Sequence, residues 1–256
     1  MRTFLSKLVL FILIAGLPFY YLQHRKMVQE DAFYWKATHK ARHLVLGGSR
    51  ALKGIFPAVM KKELGVQDSM LNFAFTGVLS PYGKTYSESI RRKLKTGTER
   101  GIYILSVTPG GIMDFSSSRT PREEEFQFYS LWMMNMQPNV EYVFRQPRGQ
   151  KALLTTILDE DLRFTNGINR VYRDGSQGTF LDKPIAQVKD RLRLIKYDLE
   201  KSPEREAELR ELVRWLSNEG DVFLVRTPIS GRMLSEEDKV YTDFNALMKE
   251  ISSNTP

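Results

Sequence analysis

The chain has 256 residues, 42% of them hydrophobic and 27% charged, which are ordinary values for one sizeable globular domain and exclude a disordered or fibrous chain. The absence of cysteine excludes disulfides, thiolate metal sites, iron–sulfur clusters and a cysteine nucleophile. The net charge of +8 is local: residues 1–62 carry 11 Lys and Arg against Glu30 and Asp31, a net +9, and the remaining residues sum to −1. A nucleic-acid-binding domain spreads its basic face over the fold, so no nucleic-acid partner is expected.

Residues 1–23 read as one N-terminal transmembrane helix. Between Lys7 and His24 lie 16 uncharged, mostly apolar residues, and with Lys7 snorkelling the span runs from Thr3 to Gln23. Phe19, Tyr20 and Tyr21 stand where an interfacial aromatic belt belongs. A cleaved signal peptide is the alternative; the poor small-x-small cleavage pattern and the Pro18–aromatic run favour an uncleaved anchor. Basic groups flank the span almost equally, but a short tail followed by a whole domain favours an extracytoplasmic domain on a bacterial cell membrane. Residues 24–41 form a juxtamembrane linker or short helix, and 42–256 the domain.

Within the domain the first strand is His43 to Leu46, closed by Gly47-Gly48-Ser49. A helix from Pro57 to Leu64 follows, with Gly65 as its stop. Met70 to Phe75 is a second strand, and Pro81 to Leu94 a helix whose basic end, Arg91, Arg92, Lys93 and Lys95, offsets the helix dipole. Ile102 to Val107 is a third strand. Residues 112–182 lose clean periodicity and read as an insertion or cap over the sheet edge. Trp132 to Met136 read there as packing residues. Helices at Lys183–Leu199 and Pro203–Ser217 follow, the second capped by Ser202, then a strand at Asp221–Thr227. A last helix opens at Ser235, with Val240, Phe244, Leu247 and Ile251 along one face. Short apolar strands alternating with helices predict a three-layer α/β fold around a flavodoxin-like parallel sheet.

The most informative stretch is HLVLGGSRALKGIFP, residues 43–57. A buried strand delivers Ser49 to its carboxyl end, where open α/β sheets bind ligands. Its two glycines permit a tight turn, and the turn's amides can face an oxyanion. A phosphate-binding or purely structural turn is the alternative from these residues alone.

Gly47, Gly48, Ser49, Arg50 and Pro57 resemble the first block of the SGNH/GDSL hydrolase family, in its membrane-anchored bacterial branch. Residues 72–77, NFAFTG, look like the second block. The resemblance implies an esterase or acyltransferase acting on an acylated cell-envelope polymer or glycan. It implies Ser49 as nucleophile, its amide and that of Gly77 as oxyanion donors, and Gly48, Asn72 and Arg50 as further oxyanion or substrate contacts. The family's third-block Asn is not evident; Asn135 is a remote counterpart. The family's C-terminal Asp-x-x-His is absent, and His24, His39 and His43 all precede Ser49. Asp114, Asp174 and Glu219 remain as substitute bases. Two further readings stand beside catalysis: a non-catalytic SGNH-like binding or assembly module, and a piece of a longer product whose following residues supply the missing block. No metal or other cofactor is expected: the histidines lack suitable neighbours and Asp159-Glu160-Asp161 reads as solvated surface. Membrane lipid and the acylated polymer are the expected partners.

Overall fold

The computed structural model describes residues 3–11, 14, 16, 21, 31–75, 82–95, 97, 99–115, 126, 128–145 and 199–253. Residues 3–11 are helical, and their apolar side chains from Phe4 to Phe11 are exposed. Among the described residues no helix is long and apolar enough to cross a membrane. Most of residues 12–23 lie outside that set, as do Gly77, His24, Asp159 to Asp161, Asp174 and nearly all of the helix expected over 183–199.

A short helix, α1 (Ala32–Thr38), is capped by Asp31, whose carboxylate accepts from the Phe33 amide. Strand β1 (His43–Gly47) is buried along its whole length, as expected of a run apolar on both faces. It leads into α2 (Ser49–Gly54) and α3 (Pro57–Leu64), where Pro57 opens α3 and Gly65 closes it at φ 66. Strand β2 (Met70–Asn72) is shorter than expected, yet its pairing runs on, because the amides of Phe73 and Phe75 donate to the carbonyls of Val45 and Gly47. Then come α4 (Lys84–Lys93) and β3 (Gly101–Ser106). Strands β4 (Met113–Phe115) and β5 (Leu199–Lys201) form a separate antiparallel ribbon, with α5 (Val140–Arg145) between them in the chain. The chain continues through α6 (Pro203–Glu219), capped by Ser202 as expected, to β6 (Gly220–Val225).

The main sheet has the order β2-β1-β3-β6, all parallel. Alternate residues separate two cores. Leu44, Leu46, Phe73, Tyr103 and Leu105 face one way, under α1, α4, α5 and α6. Val45 and Ile104 face the other, under α2 and α3. Helices on both faces of a parallel sheet make this a three-layer α/β fold.

Three expectations change. The single last helix is two, α7 (Gly231–Val240) and α8 (Phe244–Ser253). Ser230 rather than Ser235 caps the first, accepting from the Met233 amide, and Tyr241 leaves helical geometry at φ −140 and is buried. That break turns Phe244, Met248 and Ile251 into the first core. The basic end of α4 does more than offset a dipole: Lys93 is fully buried and donates to Asn135 Oδ1 and the His39 carbonyl, and Arg92 donates to the carbonyls of Leu131 and Trp132. Where the insertion is described, Ile112, Phe128, Tyr129, Leu131, Met134 and Tyr142 complete the first core, although Trp132 and Met136 are exposed.

Candidate functional site at the carboxyl edge of the sheet

The chain leaves β1 toward β2 on one side, while β3 and β6 lie on the other. The carboxyl ends of β1 and β3 therefore flank a topological switch point, where open α/β sheets place ligands. Gly47 ends β1 opposite Ser106 at the end of β3. Its φ of 116 and the 2.5 Å from an added Cβ to the Ser106 carbonyl oxygen explain why only glycine fits. Tyr82 donates to that same carbonyl, and the Gly47 amide donates to the Tyr86 hydroxyl, so the turn is held from the first core. Burial pushes the Tyr82 phenol well above its ordinary range, keeping it a neutral donor.

Gly48 caps α2 with its carbonyl, which accepts from the Leu52 amide, and Ser49 is the first helical residue. Ser49 is partly exposed, and none of the described residues hydrogen-bonds its hydroxyl. Arg50 is engaged: its guanidinium forms a salt bridge with Glu237 on α7 and reaches Met233 Sδ at 3.7 Å. Glu237 is buried and shared, because Arg226 Nη2 donates to it at 3.1 Å and to Asp238 at 3.0 Å. An Arg–Glu–Arg bridge thus ties the head of α2 to the segment after β6.

Asn72 is used structurally. Its amide nitrogen donates to the carbonyls of Ala51 and Ile55, both at 2.9 Å, and its oxygen accepts from the Ala74 amide at 3.0 Å. It thereby closes the carboxyl end of α2 and leaves no donor for an oxyanion. Asn135 likewise holds Lys93 and the Arg92 carbonyl.

No described histidine serves Ser49. His43 sits at the opposite end of β1, with Nδ1 accepting from the Ile102 amide at 3.0 Å. Four residue steps of strand separate it from Gly47, about 13 Å. His39 stacks on Trp35 with ring centroids 3.4 Å apart. Burial lowers the pKa of both rings. Asp114 is ion-paired with Arg205 at 2.7 Å, and Glu219 stands at the amino end of β6, away from Ser49.

Three buried side-chain atoms among the described residues have no partner: Ser106 Oγ, Arg226 Nε and Thr227 Oγ1. All three lie at the carboxyl ends of β3 and β6. The buried side-chain atoms without a protein partner among the described residues are therefore concentrated at this edge. Thr227 also lines, with Ser49, Arg50 and Lys53, the polar end of a groove of about 650 Å³. The groove runs down the second face between α3 and the side chains of Ile102, Ile104, Phe223 and Val225. Sequence reasoning missed Ser106, Arg226, Thr227 and Glu237. One signal was available for Glu237, which stands three residues after Leu234 and four before Tyr241, on the apolar stripe of its helix.

The carboxylates are dispersed or ion-paired, and the described residues contain no cluster of His, Asp and Glu that could hold a metal ion. Comparison with known proteins returns no matching family model, no matching curated protein and no matching solved structure.

Proposed function

We propose that the chain is a membrane-anchored, SGNH/GDSL-like serine esterase or acyltransferase of the bacterial cell envelope, acting on an acylated glycan or cell-wall polymer. The observation that carries this reading is the position of Ser49, at the head of α2 over the switch point and beside the unpartnered edge of β3 and β6. The strand order β2-β1-β3-β6 also follows the first four places of the flavodoxin-like order 2-1-3-4-5, which supports the finer fold assignment. In the reaction Ser49 Oγ attacks the ester carbonyl carbon, its proton passes to a base, and the amides of Ser49 and Gly77 hold the oxyanion. The alcohol leaves with a proton, and water or an acceptor hydroxyl then takes the acyl group from Ser49. Arg50, the next residue, is held at the head of α2 by its salt bridge with Glu237.

A fluorophosphonate probe on the folded full-length chain tests the nucleophile. It labels Ser49, and Ser49→Ala abolishes labelling; an unlabelled but folded chain sinks the reading. The second reading, a non-catalytic envelope-binding module, draws on the geometry of His39 and His43, neither of which reaches Ser49. Base assistance is worth roughly 10²–10⁴-fold, so its absence separates a slow enzyme from a binder. Glycan binding that survives Ser49→Ala supports the module.

A further inference from the structure

Apart from residues along the groove and Leu234 on α7, the large exposed apolar side chains of the described chain fall in two places. One is the N-terminal apolar segment. The other is the stretch 132–144, where Trp132 is 72%, Met136 51%, Val140 39% and Phe144 61% exposed. Single exposed apolar residues are ordinary, but several in one short stretch, led by a tryptophan, mark an interaction surface.

This stretch is fastened to α1, the first described element after the apolar segment. The Asn135 amide donates to the Ala37 carbonyl at 2.7 Å, and the Asn139 amide to the Tyr34 hydroxyl at 3.1 Å. Tyr142 donates to Asp31 at 2.7 Å, and the Tyr34 and Tyr142 rings meet edge to face at 5.5 Å. Asp31 follows Gln23, the last residue of the expected span, by eight positions, at most about 29 Å of extended chain. Any bilayer holding the N-terminal segment is therefore within reach of this surface. Its charged neighbours suit an anionic leaflet. Lys40 and Arg145 are exposed and Arg92, which donates to the Leu131 and Trp132 carbonyls, is partly so, while the acid on α5, Glu141, is buried and paired with Arg145.

We propose that Trp132, Met136, Val140 and Phe144 form the face on which the domain rests against the bilayer, with Lys40 and Arg92 toward anionic headgroups. The proposal rests on the anchored reading of the N-terminus. Tethering raises the local concentration of the surface, so a contact too weak to bind a vesicle alone suffices to set the domain's orientation. The carboxyl edge of the sheet is then held at a fixed height and angle above the membrane.

The lack of native cysteine permits a clean test. Met136→Cys, and separately Lys239→Cys on α7 near the opposite sheet edge, carry an environment-sensitive fluorophore on the full chain. The chain is reconstituted in vesicles of phosphatidylcholine and phosphatidylglycerol containing a doxyl-lipid quencher. The label at 136 shifts to the blue and is quenched, the label at 239 does neither, and adding Trp132→Ser with Phe144→Ser removes most of the quenching at 136. A vesicle-bound chain with an unquenched label at 136 overturns the contact and leaves the anchor standing. A blue-shifted label at 136 before lipid is added overturns it as well, because polypeptide then covers the surface. A chain that stays in the aqueous fraction unquenched overturns contact and anchor together. Quenching at 136 that persists when residues 1–23 fail to insert upholds the contact and rejects the anchor.

Discussion

The two faces of the central sheet are built to different standards. On the first, α1, α4, α5, α6 and α8 cover the strands, and Leu44, Leu46, Phe73 and Leu105 are wholly excluded from water. On the second, among the described residues, α2 and α3 cover only the β1–β2 half. Beyond Ile104 the groove is open, and Phe223 on β6 is 52% exposed. Parallel sheets are normally covered on both faces. The stability of the described fold therefore resides on the first face, and the second keeps apolar surface accessible directly beneath Ser49, Arg50 and Thr227.

The sharpest test of that contrast is a pair of truncations read by urea denaturation. Leu105→Ala removes a fully buried side chain from the first core and costs about 2–5 kcal/mol. Phe223→Ala removes a larger but half-exposed one and costs under about 1 kcal/mol. Equal losses would break the comparison, because Phe223 would then be buried in the folded chain.

Glu237→Gln addresses the bridge that joins the faces at their carboxyl edge. It leaves Arg50 and Arg226 facing a neutral amide in place of a shared carboxylate. Both arginines retain some solvent contact, so the loss is about 1–3 kcal/mol, below that of a fully buried ion pair. A midpoint change of that size, with an unchanged denaturant slope, would show that the edge is part of the cooperative fold. An unchanged midpoint would show that the bridge is dispensable.

Lys93 supplies a pH-dependent signature of the first face. Burial lowers its pKa to about 6 from 10.5. Between those values the unfolded chain binds the proton and the folded chain does not, so stability rises with pH across that window. Below about 6 both states are protonated and this contribution is flat. One proton corresponds to about 1.4 kcal/mol per pH unit. Lys93→Met removes that slope, measured as folding free energy against pH; an unchanged slope would place the titration elsewhere.

The strand–helix rhythm from β1 to β3, the caps at Ser202 and Pro57, and the stop at Gly65 were readable from local pattern, because each depends on residues within one turn of the chain. What escaped depends on long-range partners. Lys93 stands three residues after Ile90 and seven after Tyr86, on the buried stripe of α4, and Glu237 stands on the sequence-apolar line from Leu234 to Tyr241. In both cases an ion on an apolar stripe was the readable sign of a buried polar contact, and only the fold named the partner. Asn72 shows the reverse: its position suited an oxyanion donor, yet both its donor bonds fasten α2 to β2 and its oxygen is taken by the Ala74 amide. The break at Tyr241 followed from core demand, which periodicity along one helix does not carry.

The smallest expected effect is the most informative about function. Ser49 is partly exposed, and none of the described residues hydrogen-bonds its hydroxyl. Ser49→Ala is therefore expected to change stability by no more than about 0.5 kcal/mol, within the range of surface substitutions. A serine kept for structure would bind a backbone group, as Ser217 does with the Val213 carbonyl at 2.9 Å, and its removal would cost about 1 kcal/mol. Chemical denaturation of the two alanine variants side by side separates these cases. A Ser49→Ala chain as stable as the parent, and silent to the fluorophosphonate probe, places the hydroxyl at the open end of the second face for chemistry. A loss matching that of Ser217→Ala returns it to the structural turn and leaves the carboxyl edge as a binding surface.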